Sequence, residues 1–100
     1  MSNNIQSLID SLNNLRKFLD EDGDSNWIRG IDRILEVLKS KPSSDSSVQN
    51  AYEIYSSMRI GKESFNDYFA WDDDPIVRKK KNEILKQMKR DVIKRFSDVL

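Results

Sequence analysis

Two short acidic runs, Asp20-Glu21-Asp22-Gly23-Asp24 and Asp72-Asp73-Asp74, concentrate carboxylates in a chain whose formal net charge is zero. Carboxylates at this density can hold a hard cation, cap a helix or meet a cationic partner. A calcium loop of the EF-hand type needs oxygens at its first, third and fifth positions, glycine at the sixth and glutamate at the twelfth. Counting from Asp20 puts Ser25 sixth and Ile31 twelfth, and counting from Asp22 puts Trp27 and Arg33 there. Both registers fail, so no metal is expected. Two readings remain for the first run, a solvated turn between helices or an acidic patch for a basic partner. The second run reads as a helix start, with carboxylates at the positive end and Pro75 in the first turn. Capping accounts for one or two carboxylates, so the third is open to pairing with the basic last helix or to partner binding.

Opposite charge gathers at the other end. Residues 1–74 hold eight basic and fourteen acidic side chains, and residues 75–100 hold nine basic and three acidic, a net of −6 against +6. The nine cations between Arg78 and Arg95 could neutralise phosphates with strongly salt-dependent affinity. Against that stand the neutral whole, the scarcity of base-reading amides beyond Asn82 and Gln87, and the lack of a compact helix-turn-helix. The aromatic residues Tyr52, Tyr55, Phe65, Tyr68, Phe69 and Trp71 read mainly as core and core edge. One or two of them, with Tyr55 and Trp71 as the candidates, are expected to face a partner.

Catalysis has little to work with. The chain contains no histidine and no cysteine, and its three glycines form no phosphate-cradling loop. No enzyme activity, cofactor or small-molecule substrate is expected. Neither a leader-like start nor an apolar run of about 20 residues is seen, and the reading is of a cytoplasmic protein without a membrane partner.

The elements that must position these groups are helices. Ile5, Leu8, Ile9, Leu12, Leu15 and Leu19 recur at spacings of three and four, as do Trp27, Ile28, Ile31, Ile34, Leu35 and Leu38. Gly23 suits a left-handed helix exit, with Asp24 or Ser25 capping the next start. Gly30, inside the second stripe, is read as a place where a neighbouring helix comes close. A serine-rich loop, Ser43 to Ser47, precedes a third helix carrying Val48, Ala51, Tyr52 and Tyr55, capped by Ser44 or Asp45. A short helix is placed near Ser64. The last helix shows Ile76, Ile84, Leu85, Met88, Val92, Phe96 and Val99 on one broad face. The expected architecture is all-α, a single domain over 1–100 built as a compact bundle of four to five helices.

The segment Tyr55-Ser56-Ser57-Met58-Arg59-Ile60-Gly61-Lys62-Glu63-Ser64-Phe65-Asn66-Asp67 resembles a motif of small all-helical bacterial immunity proteins, including those of contact-dependent growth inhibition systems. There a tyrosine is followed by glycines and a methionine, then by a serine-phenylalanine-asparagine-aspartate block before the last helix. Ser56 and Ser57 stand where that motif has glycines, and Arg59 to Glu63 is longer than its usual linker. Trp27, opening the second helix, also fits. The resemblance implies an immunity protein that neutralises a cognate toxin domain, with a nuclease as the expected toxin, by blocking its active site or substrate path. Carboxylates can imitate phosphates on a nuclease surface, so Asp20, Glu21, Asp22, Asp24, Asp72, Asp73 and Asp74 are the candidate contacts, joined by Tyr55 and Trp71. If the toxin surface is acidic, the last helix becomes the contact face. The alternative function is a nucleic-acid-associated regulator acting through the basic last helix. Read by residue type alone, Phe65 is a core anchor, Asn66 and Asp67 cap a helix start, and Tyr55, Arg59 and Lys62 flank the loop.

Overall fold

A computed structural model describes residues 2–39, 45–60 and 64–100. Among these residues four helices follow in order: α1 (Ser2–Glu21), α2 (Trp27–Lys39), α3 (Asp45–Met58) and α4 (Pro75–Val99), with a 3-10 turn at Phe65–Asp67. Among the described residues there is no strand, and no helix is long and apolar enough to cross a membrane. Ser43, Ser44, Gly61 and Lys62, assigned above to loops and a cap, lie outside the described residues.

The apolar stripes become the core. Leu8, Leu12, Leu15 and Leu19 are fully buried along α1, which packs mainly on α4 and also on α2. Ile31, Ile34, Leu35 and Leu38 of α2 meet Val48, Ala51, Tyr55 and Met58 of α3. Full burial of one such leucine or isoleucine contributes about 2 kcal/mol, so these seams outweigh the mid-helix cost of Gly30, about 1 kcal/mol relative to alanine. Gly30 faces Met58: a Cβ there would stand 2.7 Å from the Met58 sulfur. The absent side chain lets α3 approach α2, as its position in the stripe suggested.

The α1–α2 turn is built from its own residues. Gly23 takes φ +84°, the Asp24 amide donates to the Leu19 carbonyl at 2.9 Å, and the Gly23 amide donates to that of Asp20 at 3.1 Å. This is the paired exit bond of a helix closed by a left-handed glycine. Asp24 then starts α2, its carboxylate accepting from the amides of Asn26 (3.3 Å) and Ile28 (3.0 Å). Arg16 and Asp32 pair across the two helices at the surface, a contact of small energetic worth.

Three expectations are corrected here. Tyr55 is not a surface anchor: it is fully buried, its ring packed against Phe65 and Phe96 at centroid distances of 6.2 and 5.8 Å. Its position on the Val48–Ala51 stripe turns it inward. Ile76 and Ile84 are not core residues, being 69% and 50% exposed. The buried line of α4 is Leu85, Val92 and Phe96; at 3.6 residues per turn Ile84 projects about 100° away from Leu85 and Ile76 about 180°, so both face outward. Asn66 does not cap the 3-10 turn. Its side chain donates to the Arg59 carbonyl at 3.2 Å and accepts from the Arg59 guanidinium at 3.3 Å.

Burial leaves the Tyr55 hydroxyl without a hydrogen-bond partner among the described residues, and desolvation pushes its pKa up from 10.0 to about 12. Tyr55→Phe removes a buried, unsatisfied hydroxyl and should raise stability to urea by about 1 kcal/mol. A raised folded-state value means that Tyr55 supports the native state fully below the unfolded value of 10.0 and loses that support as pH rises toward about 12. Alkaline unfolding of Tyr55→Phe should therefore begin at higher pH than that of the parent chain.

Candidate functional site: a pinned aromatic strap

Residues 68–74 run as an extended strap between the 3-10 turn and α4. Its backbone is held on two sides by side chains of other elements. From α4, the Asn82 amide pairs both backbone groups of Ala70, accepting from its N–H at 2.8 Å and donating to its carbonyl at 3.0 Å. The same amide also donates to the Arg78 carbonyl at 2.9 Å. Lys81 donates to the Trp71 carbonyl at 3.3 Å and pairs with Asp72 at 3.2 Å. From the α1–α2 turn, Asp22 accepts from the Tyr68 hydroxyl and from the Trp71 amide. Lys89 anchors the preceding turn, donating to the carbonyls of Phe65 (2.7 Å) and Tyr68 (3.4 Å) with its ammonium 4.6 Å from the centre of the Phe65 ring.

These bonds set the electrostatics. Burial pushes the Tyr68 phenol up, and the hydrogen bond to Asp22 and that carboxylate's charge push it further. Asp72 is held below the usual carboxylate range, first by the Asp74 amide and then by Lys81. Asp74 caps α4, accepting from the amides of Ile76 (2.8 Å) and Val77 (3.4 Å).

With the backbone of Ala70 and Trp71 bonded to polar groups beneath it, the strap turns two of its three aromatic rings outward, Tyr68 packing on Phe65 instead. Phe69 is 73% exposed and Trp71 64%, while Ala70 between them is buried. The Arg78 guanidinium lies 4.4 Å from the centre of the Trp71 ring, a cation–π contact that holds the indole in place. Beside the rings runs an open groove lined by Phe69, Ala70, Trp71, Pro75, Arg78, Lys79 and Asn82.

The structure brings the two acidic runs to the same end of the molecule, because Asp22 bonds to the strap that leads into Asp72. It divides the candidate carboxylates by role. Asp22, Asp24, Asp72 and Asp74 each hold a part of the fold, whereas Asp20, Glu21 and Asp73 are exposed. Of the two aromatic candidates, Trp71 is at the surface and Tyr55 is not. Phe69 was missed as a site residue, although its place in the dense aromatic segment between Phe65 and Trp71 was a signal. Nothing local marks Asn82 or Lys89 as anchors, since both sit among the polar residues of an amphipathic helix. No group of three or more acidic side chains among the described residues could hold a metal ion.

Comparisons with protein-family models, with curated proteins and with solved structures returned no match.

Asn82→Ala deletes both bonds to Ala70 and should cost about 1–2 kcal/mol. The sharper readout is local: amide exchange at Ala70 should accelerate well beyond that of core amides such as Leu12 and Val92. Equal acceleration throughout would mean that Asn82 supports the fold as a whole and not the strap.

Proposed function

We propose that this chain is an immunity protein, and that it neutralises a cognate toxin domain by docking the strap end of the bundle over the toxin's active site or substrate path. The observation that carries this reading is the pinned presentation of Phe69 and Trp71. Exposed aromatic rings on an ordered backbone are an apolar cost to an isolated domain and an asset at a protein interface, where such residues supply most of the binding energy. Because the Trp71 and Ala70 amides already donate to Asp22 and Asn82, the strap is ordered and less conformational entropy is lost on docking. Asp20, Glu21 and Asp73 add a carboxylate rim that can meet the cationic surface of a nuclease and speed encounter. The likeness of the Tyr55–Asp67 segment to immunity proteins supplies the class of partner.

One observation favours a nucleic-acid regulator instead: Lys79, Lys80, Lys86, Arg90 and Lys94 are all exposed on α4. That reading requires binding to nonspecific DNA or RNA that weakens steeply with salt.

The test is growth protection. Co-expression with a toxin encoded beside this chain should restore growth. The double variant Phe69→Ala/Trp71→Ala should keep its helical circular dichroism yet bind that toxin roughly a hundredfold more weakly. Failure of the parent chain to protect, or full-strength binding by the double variant, would remove the proposal.

A further inference from the structure

The groove beside Trp71 carries a charge preference of its own. Its lining contributes an apolar floor from Phe69, Ala70, Trp71 and Pro75, two cations from Arg78 and Lys79, and no carboxylate. Of the three acids just before α4, Asp72 is directed to Lys81 and the Asp74 amide and Asp74 to the first amides of α4, while Asp73 is exposed but does not line the groove. Lys79 is exposed and makes no ion pair among the described residues. Arg78 stacks on the indole and leaves the groove's positive charge in place.

From this complementarity we infer that the groove receives an acidic segment of a protein partner, one that inserts a bulky apolar side chain between Trp71 and Pro75 and sets a flanking carboxylate against Arg78 and Lys79. The inference rests on the reading that the strap end docks onto a protein, and it names the chemistry of the partner's contact. It differs from phosphate mimicry, in which this chain supplies the negative charge and the partner the positive. A single-stranded nucleic acid shares the need for cations and aromatic rings, but here one face of Trp71 is already covered by Arg78.

The experiment uses the full chain labelled with nitrogen-15, with the Trp71 indole signal assigned through Trp71→Phe. Four probes are titrated: a glutamate-rich peptide with one central leucine, its lysine-rich counterpart, a glutamate-only peptide and a short oligouridylate. The glutamate–leucine peptide should shift the Trp71 indole and the Phe69–Ala70 amides saturably, and at least roughly tenfold more tightly than any other probe. The double variant Arg78→Gln/Lys79→Gln should weaken it by about fivefold or more while leaving helix content unchanged. Equal or tighter binding of the lysine peptide, the glutamate-only peptide or the oligouridylate overturns the inference, and so does the absence of any shift at residues 69–71. Growth protection keeps the two proposals apart. If protection depends on Phe69 and Trp71 but the acidic peptide fails, only this inference falls. If the peptide binds and no toxin is neutralised, the groove's preference stands without the immunity reading.

Discussion

Helix α4 is longer than the core that supports it, and the surface at the strap end follows from that constraint. Its 25 residues span about 37 Å at 1.5 Å per residue, against about 30 Å for the 20 residues of α1. From Leu85 onward its inner face is apolar and sealed against α1. N-terminal to Leu85 the inner positions fall to Asn82, Lys81 and Arg78, which cannot be left facing an apolar surface without partners. The strap provides them: the Ala70 backbone for Asn82, the Trp71 carbonyl and Asp72 for Lys81, the indole face for Arg78. Polar groups that would otherwise be a liability hold an irregular segment in one conformation.

That arrangement reverses the usual orientation of a loop on a helical bundle. A connecting segment commonly turns its apolar side chains inward and leaves its backbone to water. In this one the backbone between Ala70 and Trp71 bonds inward, so Phe69 and Trp71 are left outside. Asp22 adds a tie from the opposite side, with the consequence that the exit of α1 at Glu21 and the entry of α4 at Pro75, 54 residues apart in the chain, share one surface. Most of the carboxylates there are spent on internal bonds. The charge left over is divided, with Asp20, Glu21 and Asp73 exposed and two cations lining the groove. The aromatic pair remains at the surface, Trp71 under the Arg78 guanidinium and Phe69 exposed beside it.

Much of the fold was legible in the sequence because its causes are local. Leucines at three- and four-residue spacings commit α1 to one buried stripe, whatever it packs on. The Gly23 exit, the Asp24 cap, the Asp74–Pro75 start and the close approach at Gly30 were all readable from residue type and position, since each depends on a few neighbouring backbone groups. The broad face read on α4 is too broad. It groups Ile76 and Ile84 with Leu85, Val92 and Phe96, but at 3.6 residues per turn they project about 180° and about 100° away from Leu85 and are exposed.

For the site, residue types alone determined that carboxylates cluster in two runs, that aromatics crowd before the last helix and that general acid–base chemistry lacks histidine. Only the tertiary structure decided which of these residues are free. Tyr55 and Trp71 are equally good anchors by composition; one closes the core beside Phe65 and Phe96, and the other stands on the strap. Asp22 and Asp73 are equally acidic, yet one is committed to Tyr68 and Trp71 and the other is exposed. The physical reason is that burial and hydrogen bonding belong to pairs of groups. Helical periodicity is written within a dozen neighbouring residues, whereas the partner of Asn82 or Asp22 is set by how α1, the strap and α4 meet in space.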